Sequence, residues 1–299
     1  MKLSKALTGI FVILFAIQFT FGQQDFQGIA YYESKTSVNL DEWGGREMSP
    51  ERKQMIMDRM KSFLEKSYIL TFNQSESTYK EEEKLESPGQ GRGWGAMMGS
   101  FTAGEQYKNV KDNQMLQEQE FFGKQFLIKD SLPVLNWKMS GETKQIGQYM
   151  CMKATAMKPV DKNDWTSMRR RGRGNDKKND KEKAEQETDT TKTSGTNLLD
   201  EIEIPKEVEV TAWYTMQIPV SQGPGEYWGL PGLILEVNAD RTTILCSKIV
   251  LNPEEKEEIK VPSKGKEVSR QEYSDTVTKK MEEMREMYGG RGRGGGRGR

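Results

Sequence analysis

The chain has 299 residues, 45 Lys and Arg against 45 Asp and Glu, two Cys and no His. The missing imidazole excludes Ser-His-Asp and Cys-His nucleophile activation and every zinc or copper site built on His. A formal charge of zero gives no global basic field for nucleic acid. With 34% hydrophobic and 30% charged residues, the composition predicts one folded domain with solvated segments and not two full cores.

Lys2 and Lys5 form a basic start, Ala6 to Phe21 is apolar, and Gly22 precedes a polar run. This pattern predicts a secretory signal peptide over 1–22, cleaved after Gly22. The apolar run is about sixteen residues, short of the ~20 that span a bilayer, so no integral membrane span is expected after cleavage. The mature chain is expected to be exported, to the periplasm or the outer membrane, with a net charge of about −2 once Lys2 and Lys5 are gone.

From Phe26 the pattern turns to β. Residues 27–38 alternate apolar and polar side chains, the period of a half-buried strand. Residues 50–67 break that period: Pro50 suits a first helical position, and Met55, Ile56, Met60, Phe63 and Leu64 recur at helical spacing. Residues 67–83 read as two strands about a turn, and the Gly-rich stretch 87–104 as a loop. Strand-like segments follow at 105–110, 114–122, 125–130, 136–140, 144–158, 208–220, 232–240 and 242–252. Around eleven short strands and one firm helix, without βαβ rhythm, predict an antiparallel sheet. Residues 169–196 are polar low complexity and read as a disordered charged insertion that separates the two parts of the β domain, 23–168 and 197–262. A charged helix is expected at 263–288, with little apolar surface beyond Met281, Met284 and Met287, and an Arg-Gly-rich disordered tail at 289–299.

Residues 212–237 contain Gly229-Leu230-Pro231-Gly232-Leu233-Ile234, with Trp137-Lys138 and Tyr149-Met150-Cys151-Met152-Lys153-Ala154 upstream. Together with Gly28 to Tyr32 and the block at 68–79, these resemble the GLPGLI family of exported Bacteroidota proteins, over roughly 26–158 and 208–252. The resemblance implies an envelope protein, in a family often encoded beside TonB-dependent outer-membrane transporters, and brings no established activity. Its strand inventory is similar to LolA-like lipoprotein-carrier folds. The expected fold is therefore all-β with one or two helices, a strongly curved antiparallel half-barrel whose concave face the 55–64 helix would cover.

Each motif has a competing reading. In 223–237, Pro231-Gly232 suits a type II turn feeding the buried strand Leu233–Val237. Tyr227, Trp228, Leu230, Pro231 and Leu233 are alternatively a lip over a ligand or partner surface, because aromatic and Leu side chains supply anchoring area. Cys151 and Cys246 permit a single disulfide, whose ~95-residue loop could contribute on the order of 4 kcal/mol; the alternative is two buried free thiols. Met281, Met284 and Met287 could offer thioethers to Cu(I), or be an ordinary helix stripe. The Arg-Gly segments 91–95, 169–174 and 289–299 suit acidic surfaces or simple solvation. Asp41, Glu42 and Glu226, beside Trp43 and Trp228, are the carboxylates with any suggestion of glycosidase chemistry, and no pair stands out.

The resulting expectation is a non-enzymatic envelope protein without a cofactor. It would bind a lipid or hydrophobic peptide, or serve an outer-membrane transporter or other envelope protein, with no nucleic-acid partner. The alternatives are copper handling through methionines and a pure interaction subunit.

Overall fold

A computed structural model describes residues 26–38, 49–82, 104–160 and 207–289. The segment 1–22 read as a signal peptide, Asp41 to Trp43, nearly all of the Gly-rich stretch 87–104, residues 169–196 and nearly all of the Arg-Gly segments lie outside the described residues.

The strands are β1 (Gly28–Thr36), β2 (Glu65–Phe72), β3 (Glu76–Glu81), β4 (Gln106–Asn109), β5 (Gln114–Phe121), β6 (Lys124–Ser131), β7 (Lys138–Ile146), β8 (Tyr149–Pro159), β9 (Glu207–Thr215), β10 (Leu233–Ala239), β11 (Thr242–Leu251) and β12 (Lys266–Val268). The helices are α1 (Pro50–Leu64) and α2 (Arg270–Gly289). All twelve strands form one sheet in the order β12-β6-β5-β4-β3-β2-β1-β11-β10-β9-β8-β7. Every pairing is antiparallel except β12 on β6. The mostly β, antiparallel class read from the sequence is the class of the fold, and the sheet is open, with β12 and β7 at its edges.

Chain connectivity forces the sheet to curve. β6 and β7 lie ten positions apart in the strand order, which in a flat sheet would be ~48 Å at ~4.8 Å per strand. Only the link from Ser131 to Lys138 joins them, and seven Cα steps reach at most ~25 Å. The link can close that span only if the sheet rolls into a half-barrel.

Period-2 alternation chooses the inner face. Ala30 and Tyr32 of β1, Leu70 and Phe72 of β2, and Tyr79 of β3 are buried in one cluster with Ile218, Val220 and Leu233. The register continues that row through Ser77 opposite Lys108, and Lys108 opposite Met115. The outer face of the same strands is covered by the segment after β11. Thr71 donates to the Glu257 carboxylate at 3.1 Å, and Ile259 packs on Tyr107, Leu116 and Leu127.

Three expectations change. Residues 144–158 are not one strand, because the chain reverses at Gly147, where φ is +58°. The strand expected over 208–220 ends at Thr215, and the chain then leaves the sheet. α1 does not cover the concave face: its side chains are mostly exposed, and Met60 and Leu64 at its last turn are buried. Helical periodicity identified the element correctly, with Ser49 capping it and Pro50 at its start.

α2 finds the apolar contact that its own sequence lacks. Tyr273 and Val277 pack on Phe121, Phe126, Ile128 and Val268. Its start is a capping box: the Ser269 hydroxyl accepts from the Glu272 amide at 3.2 Å, and the Glu272 carboxylate accepts from the Ser269 amide at 2.8 Å.

Candidate functional site

The concave face is filled by the chain's own β9–β10 connection, residues 216–232. Ile218 and Val220 enter the cluster of β1 to β3, while Tyr227 and Leu230 enter a second cluster with Ala154, Val210, Ala212, Tyr214, Ile234 and Val237. Tyr32 donates to the Ile234 carbonyl at 2.7 Å, and Ser77 donates to the Gln222 side chain at 2.9 Å.

Glycine makes this path possible in two ways. Gly225 and Gly229 adopt φ of +55° and +90°, the left-handed region. Gly232 does not: a Cβ there would lie 2.1 Å from the Thr215 carbonyl oxygen, so its role is close approach. A type II turn at Pro231-Gly232 would need positive φ at Gly232, which it does not adopt; the hydrogen-bonded turn of this segment lies upstream around Gly225, where the Tyr227 amide donates to the Pro224 carbonyl at 3.1 Å.

Beneath the turn sits Lys108, 0% exposed, whose ammonium donates to the carbonyls of Gly223 at 2.6 Å and Tyr227 at 3.3 Å. Desolvation lowers its pKa to about 7, and the charge of Glu226 opposes this only partly. Glu226 is itself ion-paired with Lys158. Around this seat, the Gln222 amide nitrogen and the Tyr79 hydroxyl are buried without hydrogen-bond partners among the described residues. Burial also raises the Tyr79 pKa well above that of an ordinary phenol. Sequence reading missed Lys108, since a lysine in a short alternating strand carries no sign that it faces inward.

The turn also ties down the link that closes the half-barrel. The Trp137 indole donates to the Trp228 carbonyl at 2.8 Å, and the Trp228 indole donates to the Pro133 carbonyl at 2.7 Å.

The residues read as a lip therefore have divided fates. Leu230 and Leu233 are fully buried core, Tyr227 is 7% exposed, Trp228 is half-buried and Pro231 is exposed. Cys151 and Cys246 are both buried free thiols and form no disulfide. Burial pushes them up to about 11 and about 12, away from thiolate chemistry. The side chains of Met281, Met284 and Met287 lie outside the described residues. Thioethers do converge elsewhere: the Tyr214 hydroxyl lies 3.5 Å from the Met139 sulfur and 3.9 Å from that of Met152. Exposed apolar side chains remain at one end of the sheet, with Met150 55% and Met216 57% exposed. The Met150 amide donates to the Gln217 side chain at 3.0 Å, which joins these two positions.

The segment from Trp137 to Glu236, which contains the β9–β10 connection together with Trp137 and Trp228, is the one that a family model matches. The family is described as "Protein of unknown function (Porph_ging)", and the match covers residues 137–236. Over that stretch the chain is similar to the Bacteroidota-associated GLPGLI family. No curated protein matches. Among solved structures, PNGF-II in a C2 crystal form is similar at 14% identity and a TM-score of 0.44, over 85% of this chain and 33% of that one. PNGF-II in a P21 form gives 13% and 0.42 over the same shares. The chain thus spans about a third of the length of those structures.

Proposed function

We propose that this GLPGLI-family chain is an exported, non-enzymatic interaction protein of the cell envelope. It docks on another envelope protein, such as an outer-membrane transporter, and does not carry an apolar ligand against its sheet. The observation that supports this reading is the inner face, already occupied by the chain's own loop, with Leu230 and Leu233 at 0% exposure. An acyl chain would have to displace them, and exposing each Leu costs about 1.5–3 kcal/mol before any ligand contact forms. The half-barrel is held shut by its own sequence, and its adaptable apolar surface is outside, at Met150 and Met216. Unbranched thioether side chains suit contact with a protein surface.

The reading as a non-enzyme is supported by the absence of His from the chain, by two raised and buried thiols, and by the burial of Lys108 under the loop. Affinity purification of tagged chain from the native envelope tests the proposal. A defined envelope protein is expected to co-purify with the wild type and to be lost with Met150→Glu combined with Met216→Glu, at unchanged thermal stability. Equal recovery with the variant would remove this surface from the account.

A further inference from the structure

We infer that Lys108 is a proton-operated latch: protonating its amine drives residues 222–229 off the inner face, and deprotonating it lets that flap close. The inference rests on the seat of Lys108 and not on the partner reading above.

The closed flap is a poor host for a charge. Lys108 is 0% exposed and reaches two carbonyl oxygens, at Gly223 and Tyr227, with no carboxylate in ion-pair contact among the described residues. The groups that face it come from several elements. β3 supplies Ser77 and Tyr79, β5 supplies Met115, and the flap itself supplies Gln222, Glu226 and Tyr227. Glu226 is the acid whose charge favours the ammonium, and Lys158 of β8 already engages it. Among the described residues, the Gln222 amide nitrogen and the Tyr79 hydroxyl have no hydrogen-bond partner. The flap carries two glycines at positive φ, Gly225 in its middle and Gly229 at its end, where backbone torsions change at little steric cost. Opening would bring the row Tyr79, Gln106 and Lys108 to water.

The sign follows from linkage. In the closed state Lys108 titrates near 7, and in the open, hydrated state near its ordinary 10.5. The open state binds the proton more tightly, so acid favours opening and base favours closing. The opening equilibrium then shifts by nearly tenfold per pH unit between about 8 and 10, and by roughly 90-fold from about pH 9 to about pH 6.

NMR on the full chain tests this with two readouts. The Lys108 side chain is titrated directly, and exchange of the Tyr227 amide, bonded to the Pro224 carbonyl at 3.1 Å, is followed against a core amide such as that of Leu70. Expected are a Lys108 midpoint near 7 and Tyr227 protection, normalised for intrinsic exchange, that rises by tens of fold from about pH 6 to about pH 9. Lys108→Met, which cannot titrate, should abolish the slope. A Lys108 midpoint near 10.5 would overturn the latch, as would an unchanged slope in Lys108→Met. If that variant fails to fold, the wild-type midpoint and slope decide alone.

Discussion

Trp137 and Trp228 are joined by a reciprocal exchange across the mouth of the half-barrel. The indole of Trp137 donates to the backbone of Trp228, while the indole of Trp228 donates to the backbone of Pro133, four residues before Trp137. The two bonds fasten the 131–138 link, which the sheet curvature requires, to the loop that fills the inner face. Trp137→Phe and Trp228→Phe each remove one donor and leave one half-buried carbonyl unpaired. Each should lower stability by about 1–2 kcal/mol in urea unfolding, with a double-mutant coupling of at least ~0.5 kcal/mol. Purely additive losses would mean that the two bonds are not one fastening.

Gly232 and Gly141 offer a matched contrast. A Cβ at Gly232 collides with the Thr215 carbonyl at 2.1 Å, whereas one at Gly141 meets nothing within 4 Å. Gly232→Ala should destabilise the chain by more than about 3 kcal/mol or prevent folding, and Gly141→Ala should stay within about 0.5 kcal/mol, both read by thermal unfolding.

The burial of Lys108 carries a global pH signature. The unfolded chain holds the lysine proton up to its ordinary 10.5, while the folded chain releases it near 7. Between those values the unfolded state binds more protons, so this group's contribution to stability rises with pH through that window and is flat below it. Relative to Lys108→Met, wild-type unfolding free energy should climb by up to about 1.4 kcal/mol per pH unit near pH 8–9.5. The comparison cancels the opposite drift expected from the raised Cys246 and Tyr79. Parallel pH curves for the two proteins would show that Lys108 is solvated.

The β5–β6 hairpin places Phe122 at φ +49° ahead of Gly123 at +73°, a turn that favours Asn-Gly. Phe122 is 42% exposed and stacks edge-on to Phe121 at 4.7 Å. Phe122→Asn should relieve the left-handed strain and stabilise the chain by about 0.5–1 kcal/mol, measured by the urea midpoint. A loss would mean that the Phe121 contact outweighs the strain.

Sequence pattern exposed most of the sheet, because alternation in segments such as 27–38 and 114–122 reports directly on a half-buried strand. The family block was equally legible in Gly229 to Ile234. Placement was not. The helical period of Met55 to Leu64 says that one side is apolar but not which surface receives it, so α1 looked like a lid although, among its described side chains, only Met60 and Leu64 are buried. Pro231-Gly232 looked like a turn because glycine serves both left-handed torsions and close contacts, and only coordinates separate those roles. The Ser269-x-x-Glu272 spacing was a readable signal for the start of α2. Lys108 had none, since period 2 assigns it a face but not the side that is covered.

Native mass spectrometry of the wild-type chain, gently purified from the cells that make it, tests the central claim most directly. The account predicts a complex with a second polypeptide and no stoichiometric small apolar adduct, because the inner face is already filled by residues 216–232. A lipid bound one-to-one, with no protein partner, would contradict it.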